Sequence, residues 1–81
     1  MNEANKNMKH IEDIANKLGE EHHIHISCAP QYFCGTLLGW EVDIISFNES
    51  VESKNNVVGR CDTKEEALRA GVDYIKKQLG L

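Results

Sequence analysis

The sequence predicts an α+β domain in which a three-stranded antiparallel sheet carries two helices packed on one face. Apolar residues recur at helical spacing near both ends of the chain, and they alternate with polar residues in three segments between those ends. A short chain must bury each apolar stripe against another element. The order helix, strand, strand, strand, helix therefore favours a meander with both helices on one side.

The chain is long enough for one domain. We expect residues 1–81 to form it, with residues 1–5 flexible. A composition of 41% hydrophobic and 27% charged residues is typical of a folded globular protein, and three cysteines without paired spacing predict free thiols. The net charge of -4 gives no general attraction to nucleic acid or to an anionic membrane. The polar start of the chain predicts neither a secretion signal nor a membrane span, so we expect a cytoplasmic protein.

The first helix is predicted over about residues 6–18. Its apolar positions share one helical face. They are Met8, Ile11, Ile14, Ala15 and Leu18. Asn5 or Asn7 is suited to cap the start, and Gly19 follows the last apolar residue as the expected C-terminal stop.

Three strands are predicted, over residues 22–28, 40–47 and 57–61, because apolar and polar residues alternate there. The residues expected to face the helices are Ile24, Ile26, Val42 and Ile44. The alternation of the second strand breaks at Ile45 and Phe47, which fall on its polar side. Either a bulge exchanges the faces at this point or the outer face carries an apolar patch.

The last helix has clear start and stop signals. Thr63 and Glu66 have the spacing of a capping box, and Gly80 is placed to end the helix. One apolar stripe follows the helix between these signals. Its members are Leu68, Val72, Ile75 and Leu79.

This order of elements, with a third strand leading directly into a Thr-Lys-Glu-Glu-Ala-Leu helix, resembles the double-stranded RNA-binding domain fold over nearly the whole chain. In that family a Lys-Lys-x-Ala-Lys signature at the start of the last helix binds phosphates. Here Lys64 and Ala67 remain, but glutamates replace other cationic positions. Residues 28–31 also lack the histidine of the family's minor-groove loop. The resemblance therefore implies the fold, and we do not expect nucleic acid as the partner.

Two alternative functions follow from resemblance. Duplex RNA would be bound through the lysines of the helices, which are Lys6, Lys9, Lys17, Lys64, Lys76 and Lys77. Residues 40–81 also resemble the HicB-type antitoxin module, which has three strands followed by a similar helix. That resemblance implies a toxin protein as the partner.

Four side chains that can bind metals lie close together in the sequence. They are His22, His23, His25 and Cys28. Only His23 and His25 share a strand face, and further ligands would have to come from Glu41 or Asp43 on the next strand. We therefore expect a solvated strand face, with no metal and no other cofactor.

A catalytic function has one candidate residue. Cys34, beside Gly35, would be a nucleophile if a histidine were brought near it, but nothing in the sequence specifies that pairing. The chain also contains no nucleophile elbow and no glycine-rich phosphate loop. We therefore expect no enzymatic activity.

The most unusual segment is residues 29–39, which connects the first two predicted strands and is too apolar for a solvated loop. Two interpretations remain open: the segment covers the open end of a small core, or it binds protein together with the outer sheet face. The candidate residues are Tyr32, Phe33, Leu37, Leu38, Trp40, Ile45 and Phe47. We expect a non-enzymatic interaction module that forms a homodimer or binds one protein partner.

Overall fold

In a computed structural model, the chain folds in the order α1 (Glu3–His22), β1 (Ile24–Phe33), β2 (Thr36–Ser46) and α2 (Lys64–Leu79). The structure describes residues 3–81, and the side chains from residue 7 onwards. Residues 1 and 2, at the start of the expected flexible segment 1–5, lie outside the described residues. The predicted α+β class is confirmed. The three-stranded sheet is wrong, because the sheet in the described part of the chain has two antiparallel strands.

Both helices pack on the same face of the sheet, where they share one core with β1 and β2. The buried residues of this core cluster are Ile11, Ala15, Leu18, Ile24, Ile44, Val51, Leu68, Val72 and Ile75. Ile44 and Ile75 have no exposed surface at all. The two-stranded sheet therefore depends on the helices for burial, since a hairpin alone is marginally stable in water.

Helix α1 does not stop at Gly19, contrary to the prediction. It continues to His22 and ends because His23 adopts a left-handed conformation, with φ 58°. Gly19 is needed for another reason. A Cβ at this position would lie 2.6 Å from the carbonyl oxygen of Ile24. The absence of a side chain therefore allows β1 to start directly beside the helix from which it emerges.

Helix α2 begins and ends as the sequence predicts. The Thr63 side chain accepts a hydrogen bond from the backbone N–H of Glu66 at 3.1 Å. Gly80 has φ 75° and donates its N–H to the last carbonyls of the helix. Both signals act locally, within one helical turn, which explains why the sequence alone identifies them.

The predicted connection over residues 29–39 is instead the distal half of a long hairpin. Strands β1 and β2 extend to Phe33 and from Thr36, and only two residues join them. Cys34 and Gly35 have φ 50° and 78°. Positive φ at both central residues is typical of the type I′ turn, whose twist matches that of paired strands.

The predicted third strand, residues 57–61, is an irregular segment rather than a strand. It contacts β2 through isolated bridges, which pair Ile44 with Lys54 and Trp40 with Cys61. Four positions separate the two residues on β2, but seven separate their partners, so the extra residues loop out. Left-handed Asn56 and Gly59, with φ 52° and 89°, produce this irregularity.

Candidate interaction surface

The distal part of the hairpin, residues 31–38, is called the arm below. Its large apolar side chains are exposed: Tyr32 by 63%, Phe33 by 68%, Leu37 by 45% and Leu38 by 44%. The predicted cover over the core is therefore not formed by this segment, which leaves the helices and carries its side chains into solvent.

Apolar side chains lie on both faces of the arm. Tyr32 pairs with Leu37 on one face and Phe33 pairs with Thr36 on the other, beyond an irregularity in register next to Gln31. An antiparallel hairpin with one solvated face normally alternates apolar and polar residues. The arm lacks this alternation, and its composition is that of a hairpin covered on both sides.

The seven predicted surface residues do not form one patch. Four of them lie on the arm, whereas Trp40 is half-buried where β2 bridges to Cys61. Ile45 and Phe47 are 43% and 79% exposed and lie at the other end of β2. Ten positions of extended chain, roughly 33 Å, separate Leu37 from Phe47. The structure therefore brings together the arm residues only.

A signal that the sequence prediction missed is the distribution of charge. Residues 22–40 contain no Asp, Glu, Lys or Arg, although 27% of the chain is charged. This stretch is β1, the turn and the first half of β2. Edge strands are commonly protected from pairing with other chains by charged side chains, lysine above all. Strand β1 has no such charge, and Pro30 is its one residue of the protecting kind.

The outer edge of β1 is the second component of the surface. Trp40 and Ile44 exchange backbone hydrogen bonds with the 54–61 segment, on the side of β2 away from β1. Alternate residues of an antiparallel strand bond to opposite neighbours, so residues 41, 43 and 45 bond to β1. The N–H of Phe47 donates to the carbonyl of His23 at 2.9 Å, which continues the same pattern.

It follows that the even-numbered residues of β1 direct their backbone groups away from β2. The N–H groups of Ile24, Ile26 and Cys28 point to the outer edge, and Pro30 offers only its carbonyl there. Within residues 3–81, no other strand pairs with this edge. Unpaired N–H and C=O groups in a row are a template for another extended chain.

A groove of about 530 Å³ lies beside this edge, between α1, β1 and the start of α2. Ala15, Ile24, Ile26 and Leu68 contribute apolar surface to it. At its rim the ammonium group of Lys64 lies 3.6 Å from the carboxylate of Glu12. Glu12, Glu20 and Lys64 also line the groove, so it combines apolar side chains with charged ones next to the unpaired backbone of β1.

Cys28 also lines the groove, and its thiol lies 3.9 Å from the carbonyl oxygen of Lys64. Burial raises the pKa of this thiol, and Cys61 raises it further, while the charge of Lys64 acts in the opposite direction. Cys28, Cys34 and Cys61 are all free. A raised pKa lowers the fraction of Cys28 in the thiolate form at a given pH, and the thiolate is the nucleophilic form of cysteine.

The side chains considered as metal ligands from the sequence are not brought together into one group. His25 lies on the outer face of β1 opposite Ile45, whereas Asp43 lies opposite Ser27. The carboxylate of Asp43 accepts the backbone N–H of Asn56 at 2.7 Å. Among the side chains that the structure describes, no group of three or more His, Cys, Asp or Glu residues could hold a metal ion.

Cys34, the candidate nucleophile, is exposed at the turn of the arm. His25 lies near the opposite end of β1, roughly 25–30 Å away along an extended strand. The structure therefore does not pair Cys34 with this histidine.

The candidate cationic residues are dispersed. Lys9 and Lys17 lie on α1, and the side chain of Lys6 lies outside the described residues. Lys64 is paired with Glu12 at the start of α2, whereas Lys76 and Lys77 lie in its last turn. Along α2, Lys64 and Lys76 are twelve residues apart, which corresponds to about 18 Å of helix.

No helix among the described residues has the length and apolar character needed to cross a membrane. No protein-family model, curated protein or solved structure matches this chain.

Proposed function

We propose that this chain is a non-enzymatic protein-interaction module and that the arm, residues 31–38, is its binding element. The observation that carries the proposal is the exposure of apolar side chains on both faces of the arm, with Phe33 68% exposed. Aromatic side chains supply the largest contact area per residue in protein interfaces. A partner that covers the arm would remove this surface from water.

The absence of charged residues from the arm favours a protein as the partner. The arm and the strands that carry it contain no charged residue between positions 22 and 40. Cores of protein interfaces are depleted of charged residues and enriched in aromatic ones. Nucleic acid selects the opposite composition, because phosphate contacts require Lys and Arg.

The test compares two exposed phenylalanines at opposite ends of the hairpin. Phe33→Asp alters the arm, and Phe47→Asp is the matched control, since both side chains are more than half exposed and neither belongs to the core. Tagged chains are used to capture proteins from a nuclease-treated native lysate, together with an untagged copy of the chain itself. We expect Phe33→Asp to lose a captured protein that the wild type and Phe47→Asp retain. Identical captured sets for all three chains would contradict the proposal.

Duplex RNA binding with a double-stranded RNA-binding-like fold is the second candidate. The helix lysines would provide the contacts, but Lys64 is already paired with Glu12 at 3.6 Å, and Arg69 lies 3.4 Å from Glu65. A gel-shift titration with duplex RNA over a salt series separates the two candidates. Affinity that falls steeply with salt supports RNA binding, and no binding at low salt rejects it.

A further inference from the structure

The arm joins the rest of the molecule at the Gln31–Gly39 pair, where the register of the hairpin changes. On the side of this pair that faces the helices, β1 and β2 are in regular register. Beyond it, Tyr32 pairs with Leu37, so Leu38 is an extra residue on β2. An extra residue of this kind bends its strand and increases the local twist. The direction in which the arm projects is therefore set at its base.

The residues next to this pair hold both strands in place. Pro30 lies opposite Trp40, and Trp40 lies opposite Cys61 on its other side. Trp40 and Cys61 exchange two backbone hydrogen bonds, each 2.8 Å long. The ring of Pro30 fixes the φ angle of β1 at the same level. Within residues 3–81, no third segment pairs with the arm beyond this row, so the arm is fixed only from its base.

Gly39 is in close contact with the segment that precedes α2. A Cβ at position 39 would lie 2.6 Å from the carbonyl oxygen of Cys61, and 2.6 and 2.9 Å from Cγ and Cδ of Arg60. A side chain at this position would therefore displace β2 or residues 60–61. Gly39 also has φ 151°, a conformation that residues with a side chain rarely adopt. Two independent constraints thus require glycine at the base of the arm.

We propose that Gly39 and Arg60 are positioning residues of the arm, and that the contact between them holds the arm in the orientation in which it binds its partner. The inference rests on the proposed function and adds what controls the direction of the binding element. The hydrocarbon stem of Arg60 occupies the space that a side chain at position 39 would need. An arm held in this way loses less conformational freedom on binding than a mobile arm, which increases its affinity for the partner.

Three variants and one control examine the contact. Gly39→Ala places a methyl group into it. Arg60→Ala removes Cγ and Cδ from an exposed residue without adding an atom, whereas Arg60→Met keeps an unbranched stem and removes the charge. Gly59→Ala is the glycine control, because Gly59 also has a positive φ, 89°, but a Cβ there would have no atom within 4 Å other than those of its chain neighbours.

Residual dipolar couplings of the backbone N–H groups measure the direction of the arm in the free chain, without a partner. In the wild type, Arg60→Met and Gly59→Ala, we expect the couplings of residues 32–37 to fit one orientation together with those of α1 and α2. In Arg60→Ala and Gly39→Ala they should shift away from this fit, while the couplings of the helices still agree with one another. Unchanged arm couplings in Arg60→Ala would overturn the inference, whether or not Gly39→Ala folds.

Protein capture then tests whether the direction of the arm matters for binding. We expect Arg60→Ala to lose the protein that Phe33→Asp loses, and Arg60→Met to retain it. Full capture by Arg60→Ala, or loss of capture by Arg60→Met with unchanged arm couplings, would overturn the positioning role. If Phe33→Asp captures the same proteins as the wild type, the proposed function fails. The dipolar couplings then still determine whether Gly39 and Arg60 set the direction of the arm.

Discussion

The backbone of Gly19 contacts the carbonyl oxygen of Ile24 so closely that a Cβ at position 19 would lie 2.6 Å from that oxygen. The four residues between these two positions, 20–23, lead the chain from helix α1 into strand β1. The contact fixes where β1 starts relative to the helix, and it covers one acceptor at the outer edge of the sheet.

Gly19→Ala is therefore expected to destabilise the fold, although alanine is the better helix former. The overlap requires a shift of helix or strand, and small-to-large changes in packed sites cost about 1–3 kcal/mol. The measurement is the free energy of unfolding from urea titration. Asn16→Ala, at an exposed position of the same helix, is the control and should be neutral or slightly stabilising. A stabilised Gly19→Ala variant would show that the contact is absent.

Thr63→Ala is expected to lower the free energy of unfolding by about 0.5–2 kcal/mol, because the N–H of Glu66 loses its side-chain acceptor. Thr63→Ser keeps the hydroxyl and should retain most of the stability. If the alanine and serine variants unfold at the same urea concentration, the cap does not contribute.

Neighbouring isoleucines on β2 should respond very differently to truncation. Ile44 has no exposed surface, whereas Ile45 is 43% exposed on the opposite face. We expect Ile44→Ala to cost about 2–5 kcal/mol, as is usual for a fully buried isoleucine. Ile45→Ala should change the free energy of unfolding by no more than about 0.5 kcal/mol. Similar losses for both would contradict the assignment of the two sheet faces.

Cysteine reactivity should differ along the chain. Burial raises the pKa of Cys28, and burial together with Glu66 and Asp62 raises that of Cys61. A raised pKa leaves less thiolate at a given pH, so alkylation of these two thiols should become appreciable only at higher pH than for an ordinary thiol. Cys34 is exposed and should react first at pH 8 with iodoacetamide. Mass spectrometry of the labelled peptides measures the order, and labelling in urea is the control. Equal alkylation rates for the three cysteines in the folded chain would contradict this prediction.

The sequence alone predicts those structural features correctly whose signals lie within a few residues of the feature itself. The caps of α2 at Thr63 and Gly80 lie within one turn of the groups that they bond, and the buried stripe between them follows from helical spacing alone. The stop at Gly19 was wrong because glycine both ends helices and permits close contacts. Only the position of Ile24 in space distinguishes these two uses.

The hairpin was missed because residues 32–38 lack the alternation by which strands are recognised. Its turn carries Cys34 in a left-handed conformation, where Asn or Asp would have signalled the bend. The third strand was wrong because Asn56 and Gly59 interrupt the ladder. The exposed apolar residues of the candidate surface could be listed from the sequence. Their separation into a group on the arm and a group at the far end of β2 could not be predicted, because it depends on how long the strands are.

Capture of proteins by chains that carry Phe33→Asp or Phe47→Asp tests the central claim, that the arm is the binding element, most directly. Both phenylalanines are more than half exposed, but only Phe33 lies on the arm. We predict that the Phe33→Asp chain loses a captured protein that the wild type and the Phe47→Asp chain retain. Capture of the same proteins by all three chains would contradict the account.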